Sequence, residues 1–594
     1  MRIALISPPW PLFNRPSLQL ATLKAFLAKN QPDLQITCHH PYLTLAAKLG
    51  FEAYHAISES SWASEAVCAP LLFHDKEKEC NAMFTSAVTK NARQGKGLSA
   101  RAVRRHTKET LETFINSLQL TDLIMVGITV SINQLTAALF LARLIKARRH
   151  DLPVVLGGAS LSGEAGAWVF DAFKEIDYLV DGEGELPLMG LVDFLRGTRP
   201  QPPPSVRFRG CVEIQRKEQL DSIEHIPAPD FRDYFQELAG LPAKQRFFPV
   251  LPIEASRGCW WGRCNFCNLN LQWQGYRAKS VARMSKELNW LSSTYGALDF
   301  AFMDNALPRR EASIFFQEFS THGRDYTFFA ELRVGHSREE LAVMAKGGLH
   351  EVQIGIEALS SSLLKRLRKG ASLMQNVAAM RHTEEFGMEL SGNLILHFPG
   401  STIEEVNETL NVLEFVWPFR PLKAVSFWLG MNSPVAVHSE LFNIKNLKPH
   451  DNWYHLFPQK LLRQATPLIL KYTGDRVHQK KLWKPVEQRI RLWNEQRKKT
   501  GRLKPLTYRD GGNFLHIRQE TPSGEILTHR LNGLSRDIYL FCVEPVSLKA
   551  VFDRFHQKTF QEIHTFIDDL VKKRLMFLHE GQVLSLAIRE IKAC

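Results

Sequence analysis

Apolar residues recur along the first 200 positions in short runs separated by helical spacing. Arg2–Ser7 is an apolar run, and Leu18–Ala28 follows with apolar positions at helical intervals. Gln35–Cys38, Leu123–Thr129, Val154–Leu156 and Tyr178–Val180 read as further strands. Gln134–Arg148, Gly166–Phe173 and Leu188–Arg196 read as helices between and after them. Strands alternating with helices predict a parallel sheet with crossovers. Such sheets hold ligands beyond the carboxyl ends of their strands. Ser7-Pro-Pro, Thr129-Val-Ser131, Gly157-Gly158 and Asp181-Gly-Glu183 fall at those ends. Residues 50–120 are mainly helical in pattern, with a basic stretch at 84–105, and the alternation does not place them.

Pro200-Gln-Pro-Pro-Pro-Ser205 punctuates the chain, and a connector runs to about 248. A second strand–helix series then begins. Its strands are Ile253–Ser256, Asp299–Met303, Thr327–Glu331, Glu351–Ile356, Glu389–Leu396 and Ala424–Leu429, with helices such as Ser280–Thr294 and Arg338–Lys346 between them. Six strands are too few for an eight-fold barrel, so an incomplete barrel is expected, with its active face at the strand C-termini. Residues 450–500 are helical, basic and tryptophan-bearing. Beyond 505, Phe514–Gln519 and Ile526–Arg530 form a hairpin pattern. Helices at Ser535–Phe541, Leu548–Phe555 and Phe560–Lys572 follow, and a last hairpin, Met576–His579 with Val583–Ala587, turns at Glu580-Gly581. Helices followed by a β-wing resemble a winged-helix module. The expected segments are 1–200, 201–248, 249–450 and 451–594, in an α/β chain.

Bulk composition changes little. The 594 residues are 44% hydrophobic and 23% charged, ordinary for a globular protein. No apolar run reaches a membrane span, and the N-terminal run is too short and too soon broken by prolines for a signal peptide. Nine scattered cysteines suit a reducing cytoplasm. The net charge of +14 admits nucleic acid as a partner, but the basic runs Arg101–His106, Lys480–Lys484 and Arg497–Lys499 read as solvated helix faces, and no RNA-binding domain is recognisable.

Candidate chemistry concentrates in Glu254-Ala-Ser-Arg-Gly-Cys-Trp-Trp-Gly-Arg-Cys-Asn-Phe-Cys-Asn268, where Cys259, Cys264 and Cys267 are spaced C-x4-C-x2-C. Three thiolates can hold three irons of a cubane and leave the fourth open to a ligand, whereas electron-transfer clusters usually take four cysteines. Zinc needs a fourth ligand, and the nearest downstream histidines, His322 and His336, lie far outside finger spacing.

With these residues in view, the chain resembles a cobalamin-binding radical S-adenosylmethionine (SAM) enzyme, and among these the ribosomal-peptide (RiPP) maturation branch, which includes C-methyltransferases. The resemblance is carried by Pro8–Ser17, Gly127–Ser131, Val155–Gly158, Asp177–Glu185, the cysteine loop, Asp304-Asn-Ala-Leu-Pro308, Gly355–Leu359 and Asn393–Gly400. It implies a Rossmann-like cobalamin-binding domain at 1–200, a partial (β/α)6 radical SAM barrel at 249–450 and a winged-helix-like C-terminal domain. It also implies a 4Fe-4S cluster, SAM and cobalamin as cofactors. The usual radical SAM spacing is C-x3-C-x2-C, so one extra residue lies between Cys259 and Cys264 here.

By the same resemblance Phe266 lies beside adenine, although a loop-packing aromatic would look alike. Asp304 and Asn305 contact the SAM ammonium, or else cap a helix. Glu331 and Arg333 contact ribose and carboxylate, or pair with each other. Glu357 and Asn393 are candidates of the same kind. The chain lacks the Asp-x-His-x-x-Gly motif that supplies a lower histidine to cobalamin: at His397-Phe-Pro-Gly400, Ile395 stands where the aspartate belongs. Thr129, Ser131, Gly157, Gly158, Gly182 and Glu183 are the implied cobalamin contacts, each glycine being equally readable as a strand–helix turn.

The implied activity is C-methylation of an unactivated carbon in a peptide or peptide-derived compound, with an external reductant such as flavodoxin or ferredoxin. A non-methylating cyclisation or rearrangement, RNA modification, and a non-catalytic sensor stay open. The C-terminal module reads either as a leader-peptide holder using strand addition or as a packing cap.

Overall fold

The computed structural model describes residues 1–60, 62–90, 97–210, 217–269, 273–321, 323–500 and 504–590. Part of the 84–105 basic stretch lies outside these residues. The first sheet contains β1 (Arg2–Ile6), β2 (Gln35–His39), β3 (Leu123–Thr129), β4 (Val154–Gly157), β5 (Tyr178–Val180) and β6 (Val206–Phe208), in the order β2-β1-β3-β4-β5-β6. The first five are parallel, and β6 runs antiparallel on β5. Alternate residues serve two cores. Ala4, Ile6, Val126, Ile128, Leu156 and Leu179 face one layer of helices, and Ile3, Leu5, Met125, Val155 and Val180 face the other. Burial on both faces explains why these strands read as near-continuous apolar runs.

The stretch that the sequence did not place is a helical insertion between β2 and β3: Pro41–Leu49, Phe51–Ser58, Ala63–Leu72, Glu77–Lys90 and Ala100–Ser117. It packs on one face of the sheet and joins its core. The helices Asp451–Leu456 and Gln459–Leu462 lie there too. Leu456, Phe457, Leu462 and Ala465 share that core, and Trp168 Nε1 donates to Leu461 O at 2.7 Å.

The second sheet holds β7 (Leu251–Ile253). The short β8 (Ser256–Arg257) and β9 (Arg277–Ala278) pair only with each other. Next come β10 (Asp299–Phe302), β11 (Thr327–Leu332), β12 (Leu349–Ile354) and β13 (Glu389–Ser391), giving the parallel order β13-β12-β11-β10-β7. The single strand expected at 389–396 breaks at Gly392 into β13 and β14 (Asn393–Leu396), and β14 pairs with β15 (Lys423–Ser426). A Cβ on Gly392 would stand 2.7 Å from Leu422 Cδ2, so glycine lets the chain turn closely there. The bridge Glu357–Leu394 carries the curve across the break. Along β11, Phe328, Ala330 and Leu332 are buried under the helices, while Phe329 and Glu331 look half-exposed onto the concave face.

The C-terminal hairpin Phe514–Glu520 with Ile526–Asn532 forms as expected. So do the helices Leu534–Phe541, Leu548–Arg554 and Phe560–Lys572 and the hairpin Met576–His579 with Gln582–Ser585. This part shares one core with the barrel. Arg381, fully buried on the barrel helix Leu373–Glu385, donates to Ser585 O and Ala587 O, each at 2.9 Å, and pairs with Glu385 at 2.7 Å. That continuous seam is what a packing cap requires.

Candidate functional site

The cysteine loop leaves and returns through the β8–β9 pair. Gly258 starts it at φ +83°, and a Cβ there would meet Gly275 O at 2.4 Å, so only glycine closes the neck. The second half of the loop is docked on two neighbours. Asn265 N donates to Leu367 O at 3.0 Å and its side-chain amide to Arg366 O at 2.6 Å. Val435 N donates to Asn265 O at 3.0 Å, and the Asn268 amide donates to Met431 O at 3.2 Å. Trp261 Nε1 donates to Arg368 O at 3.0 Å, and its ring fills the space against Gly370, where a Cβ would come within 2.1 Å.

Cys259, Cys264 and Cys267 are half-buried thiols on this loop, none of them in a disulfide. Burial raises the Cys264 thiol, opposed by the Lys369 and Arg333 charges, and burial pushes Cys267 up to about 11 with Cys264 and Cys259 adding to the rise. Cations beside thiols favour thiolate, the form that binds metal. Among the described residues no three His, Cys, Asp or Glu side chains converge to hold a single ion. The case for cluster ligands therefore rests on spacing, half-burial and the two cations.

The strand ends bring the other barrel candidates beside this loop. Phe266 is half-buried against the core with Lys369 Nζ 5.9 Å from its ring centre, so the packing role is present. Asp304 is buried and accepts from Ser256 Oγ at 2.6 Å and Ala255 N at 3.1 Å, and burial pushes its carboxyl up to about 7. The helix that follows is capped by Pro308, so neither Asp304 nor the half-buried Asn305 serves as its N-cap. Glu331 is also pushed up to about 7, by burial first and then by Glu357 and Asp304. Arg333 donates to Lys369 O and lies 4.7 Å and 5.3 Å from the ring centres of Trp261 and Trp260. The Glu331–Arg333 ion pair is thus not what holds them. Glu357, in the left-handed region at φ +60°, pairs with Lys369 at 3.0 Å, and its N–H donates to the carbonyl of Asn393 at 2.9 Å. Met303, Trp260 and Trp428 are exposed around this mouth.

In the first sheet, Thr129 ends β3 and Gly157 ends β4. Ser131 N donates to Gln134 Oε1 at 2.9 Å. Gly158 sits at φ +116°, and a Cβ would strike Val130 O at 2.6 Å, so the turn itself demands glycine. Gly182 is at φ +99°. Ser162, unremarked in the sequence, buries a hydroxyl with no partner between Gly158 and Gly163, and the space beside Gly163 is open. Ile132 stands exposed on the same edge.

Glu183 is buried and spoken for. It accepts from Arg277, pairs with Arg257 Nη1 at 3.2 Å and takes Leu220 N at 3.2 Å. Arg257 also pairs with Glu185 at 2.7 Å and Glu254 at 3.0 Å. One guanidinium, two residues before Cys259, therefore gathers three carboxylates, two of them from the strand end of the other sheet. Sequence reading missed this hub, although Arg257 inside Ser-Arg-Gly-Cys beside an acidic Asp-Gly-Glu-Gly-Glu run was a signal. Lys369 was missed as well.

Residues 253–413 match the family described as the Radical SAM superfamily, so this segment is a radical SAM domain. The chain is 29% identical over 302 residues to an uncharacterised methyltransferase of Pyrococcus horikoshii, covering 48% of this chain and 63% of that one. It is 26% identical over 269 residues to the hopanoid C-3 methylase of Methylococcus capsulatus, covering 43% and 49%. The chain thus spans less than two thirds of either relative. Among solved structures, the radical SAM methyltransferase TsrM from Kitasatospora setae with cobalamin and a [4Fe-4S] cluster bound aligns at TM-score 0.54 and 16% identity, over 83% of this chain and 90% of that one. The cobalamin-dependent radical SAM enzyme OxsB aligns at TM-score 0.50 and 16% identity, over 96% and 71%. These two likenesses concern the fold.

Proposed function

We propose that a radical SAM domain and a cobalamin-binding sheet act together here in methyl transfer to carbon. The observation that carries this reading is the meeting of two strand-end edges. Arg257 joins the Glu183–Glu185 turn of the first sheet to the root of the cysteine loop on the second. Cys259, Cys264 and Cys267 would hold a 4Fe-4S cluster. Asp304, Asn305, Glu331, Glu357, Asn393 and the face of Phe266 offer acceptors and an aromatic plane for a cationic, adenine-bearing cosubstrate. The unpartnered Ser162 hydroxyl, the open space at Gly163 and the strand ends at Thr129, Ser131, Gly157, Gly158 and Gly182 suit a ligand laid along the edge of the first sheet. Glu183 belongs to the arginine hub and supports that edge from behind.

When bound, these cofactors supply a hydrogen-abstracting radical and a methyl carrier. The protein's own work is placement and shielding. Lys369 and Arg333 hold positive charge beside the thiols, Trp260 and Trp261 lie against the Arg333 guanidinium, and Asp304 ties the β7 end to β8 by accepting from Ala255 N and Ser256 Oγ. The aromatic rim and the docked loop would shield a carbon reacting at this mouth from water. No side chain is needed as nucleophile.

The substrate we favour is a peptide or peptide-derived molecule, with an external one-electron donor. The exposed Ile526–Asn532 strand lies at the edge of its sheet and is open to strand addition. A second reading, ring formation without methyl transfer, is favoured by 25% identity over 222 residues to the anaerobic magnesium-protoporphyrin IX monomethyl ester cyclase of Synechocystis. Incubation with SAM carrying a deuterated methyl and candidate substrates separates the two. Labelled product supports methyl transfer, and modified but unlabelled product refutes it.

A further inference from the structure

The loop after β1 reaches across to the barrel, and its backbone is pinned residue by residue. Tyr234 Oη donates to Phe13 O at 2.7 Å, Val250 N to Asn14 O at 2.9 Å, and Tyr42 Oη to Arg15 O at 3.0 Å. The Phe13 ring is held too, stacked on Phe51 at 4.6 Å and edge-on to Phe247 at 5.2 Å. What this rigid loop presents to the barrel is Arg15. Its guanidinium carbon lies 5.5 Å from the centre of the Phe329 ring, on the concave face of β11. Phe329 is one pleat before Glu331 on the same face, so the guanidinium stands beside the candidate site.

Arg15 has no ion pair among the described residues, and its Nε is buried with no hydrogen-bond partner. Glu351 and Glu59 are near enough to be felt as charges without bonding to it. Arg257 and Arg381 satisfy their guanidinium with carboxylates or carbonyls, and Arg277, whose Nε is likewise buried without a partner, still pairs with Glu183 through its Nη atoms; Arg15 has no such carboxylate among the described residues. This half-buried fork, its Nε buried and its plane held against an aromatic ring, suits a planar or tetrahedral anion.

We propose that Arg15 with Phe329 is the subsite for an anionic group of the substrate, a carboxylate or a phosphate attached to an apolar or aromatic body. This rests on the reading that the concave face of the barrel receives substrate. It makes Arg15 a specificity residue that selects acidic substrates and fixes which of their carbons faces the cysteine loop. A guanidinium that accepts a charged partner contributes on the order of 10- to 100-fold in affinity.

The test is calorimetric titration of the full-length protein, purified with hydroxocobalamin, using phenylacetate and phenyl phosphate as probes and benzyl alcohol as the neutral counterpart. At least one anion is expected to bind the wild-type chain, and the stronger of the two identifies carboxylate or phosphate. Arg15→Gln is expected to weaken that binding at least tenfold with cobalamin content unchanged, and Arg15→Lys to restore part of it. Glu351→Gln is expected to strengthen it, because a competing negative charge is removed. Equal binding by wild type and Arg15→Gln, or no anion binding by wild type, overturns the proposal. So does loss of cobalamin from Arg15→Gln, which makes the guanidinium a corrin contact. A loss of thermal stability in Glu351→Gln also overturns it, since Arg15 and Glu351 would then be a structural pair. These titrations need no cluster, SAM or reductant, so their failure is separable from a failure to form 5′-deoxyadenosine.

Discussion

Replacing Arg257 by Met isolates the junction between the two sheets. The side chain is buried, and its removal strands Glu185 and Glu254, whose only ion pairs among the described residues run to it, while Glu183 keeps Arg277. Breaking a buried ion pair costs about 3–5 kcal/mol, because the surviving charge is left without a partner. Protonation caps that cost: neutralising an ordinary carboxylate of pKa about 4.3 at pH 7.5 takes about 4.4 kcal/mol, and at pH 5.5 only about 1.6 kcal/mol. A carboxyl left buried without a cation favours its neutral form, so the variant is expected to regain stability as pH falls. A deficit of about 4 kcal/mol lowers Tm by about 3 °C if the whole chain melts as one unit, and by about 10 °C if a unit of about 200 residues melts alone. Circular dichroism melts of the apoprotein at pH 7.5 and 5.5 measure this directly. An Arg257→Met variant that melts with the wild type at pH 7.5, or that is equally impaired at both pH values, refutes the reasoning.

Three further outcomes follow from particular contacts. Gly258→Ala places a Cβ 2.4 Å from Gly275 O at φ +83° and is expected to fold but take up well under half the iron on reconstitution; full iron content and an unchanged cluster spectrum would contradict it. Glu331, raised from 4.5 to about 7 mainly by burial, favours the folded apoprotein below its unfolded pKa, and that contribution is lost as pH rises through about 7. Glu331→Gln should therefore remove on the order of 1–2 kcal/mol of the stability difference between pH 5 and pH 8, and an unchanged difference in Tm would refute this. Arg381→Met leaves Glu385 to Arg338 alone and leaves two buried carbonyls without their donor, so about 3 kcal/mol is lost and the C-terminal helices loosen with the barrel; hydrogen exchange confined to residues 534–588 would contradict a shared core.

Strands buried on both faces were the most legible features. Leu123–Thr129 and Tyr178–Val180 were bounded correctly because their apolar runs are continuous and end at turn residues. The strand Val206–Phe208 was hidden because it follows a run of prolines and contributes only three residues, antiparallel, to the sheet edge. The insertion at 41–117 was helical in pattern, but helix–helix packing leaves no local sign of which sheet face receives it. The break at Gly392 is set by Leu422, thirty positions on, and no local pattern encodes that contact. At the site, the cysteines announced themselves by spacing. Arg257, Lys369 and Arg15 did not, since their importance lies in which distant groups they meet, or fail to meet.

On the proposed reading, the thiol loop supports reductive cleavage of SAM. The full-length protein, reconstituted with iron and sulfide and supplied with SAM and dithionite, should form 5′-deoxyadenosine detectable by mass spectrometry. The Cys259→Ala, Cys264→Ala and Cys267→Ala variants should each form none. A protein with a fully loaded cluster that makes no 5′-deoxyadenosine, or a triple-alanine variant that still makes it, would contradict the account.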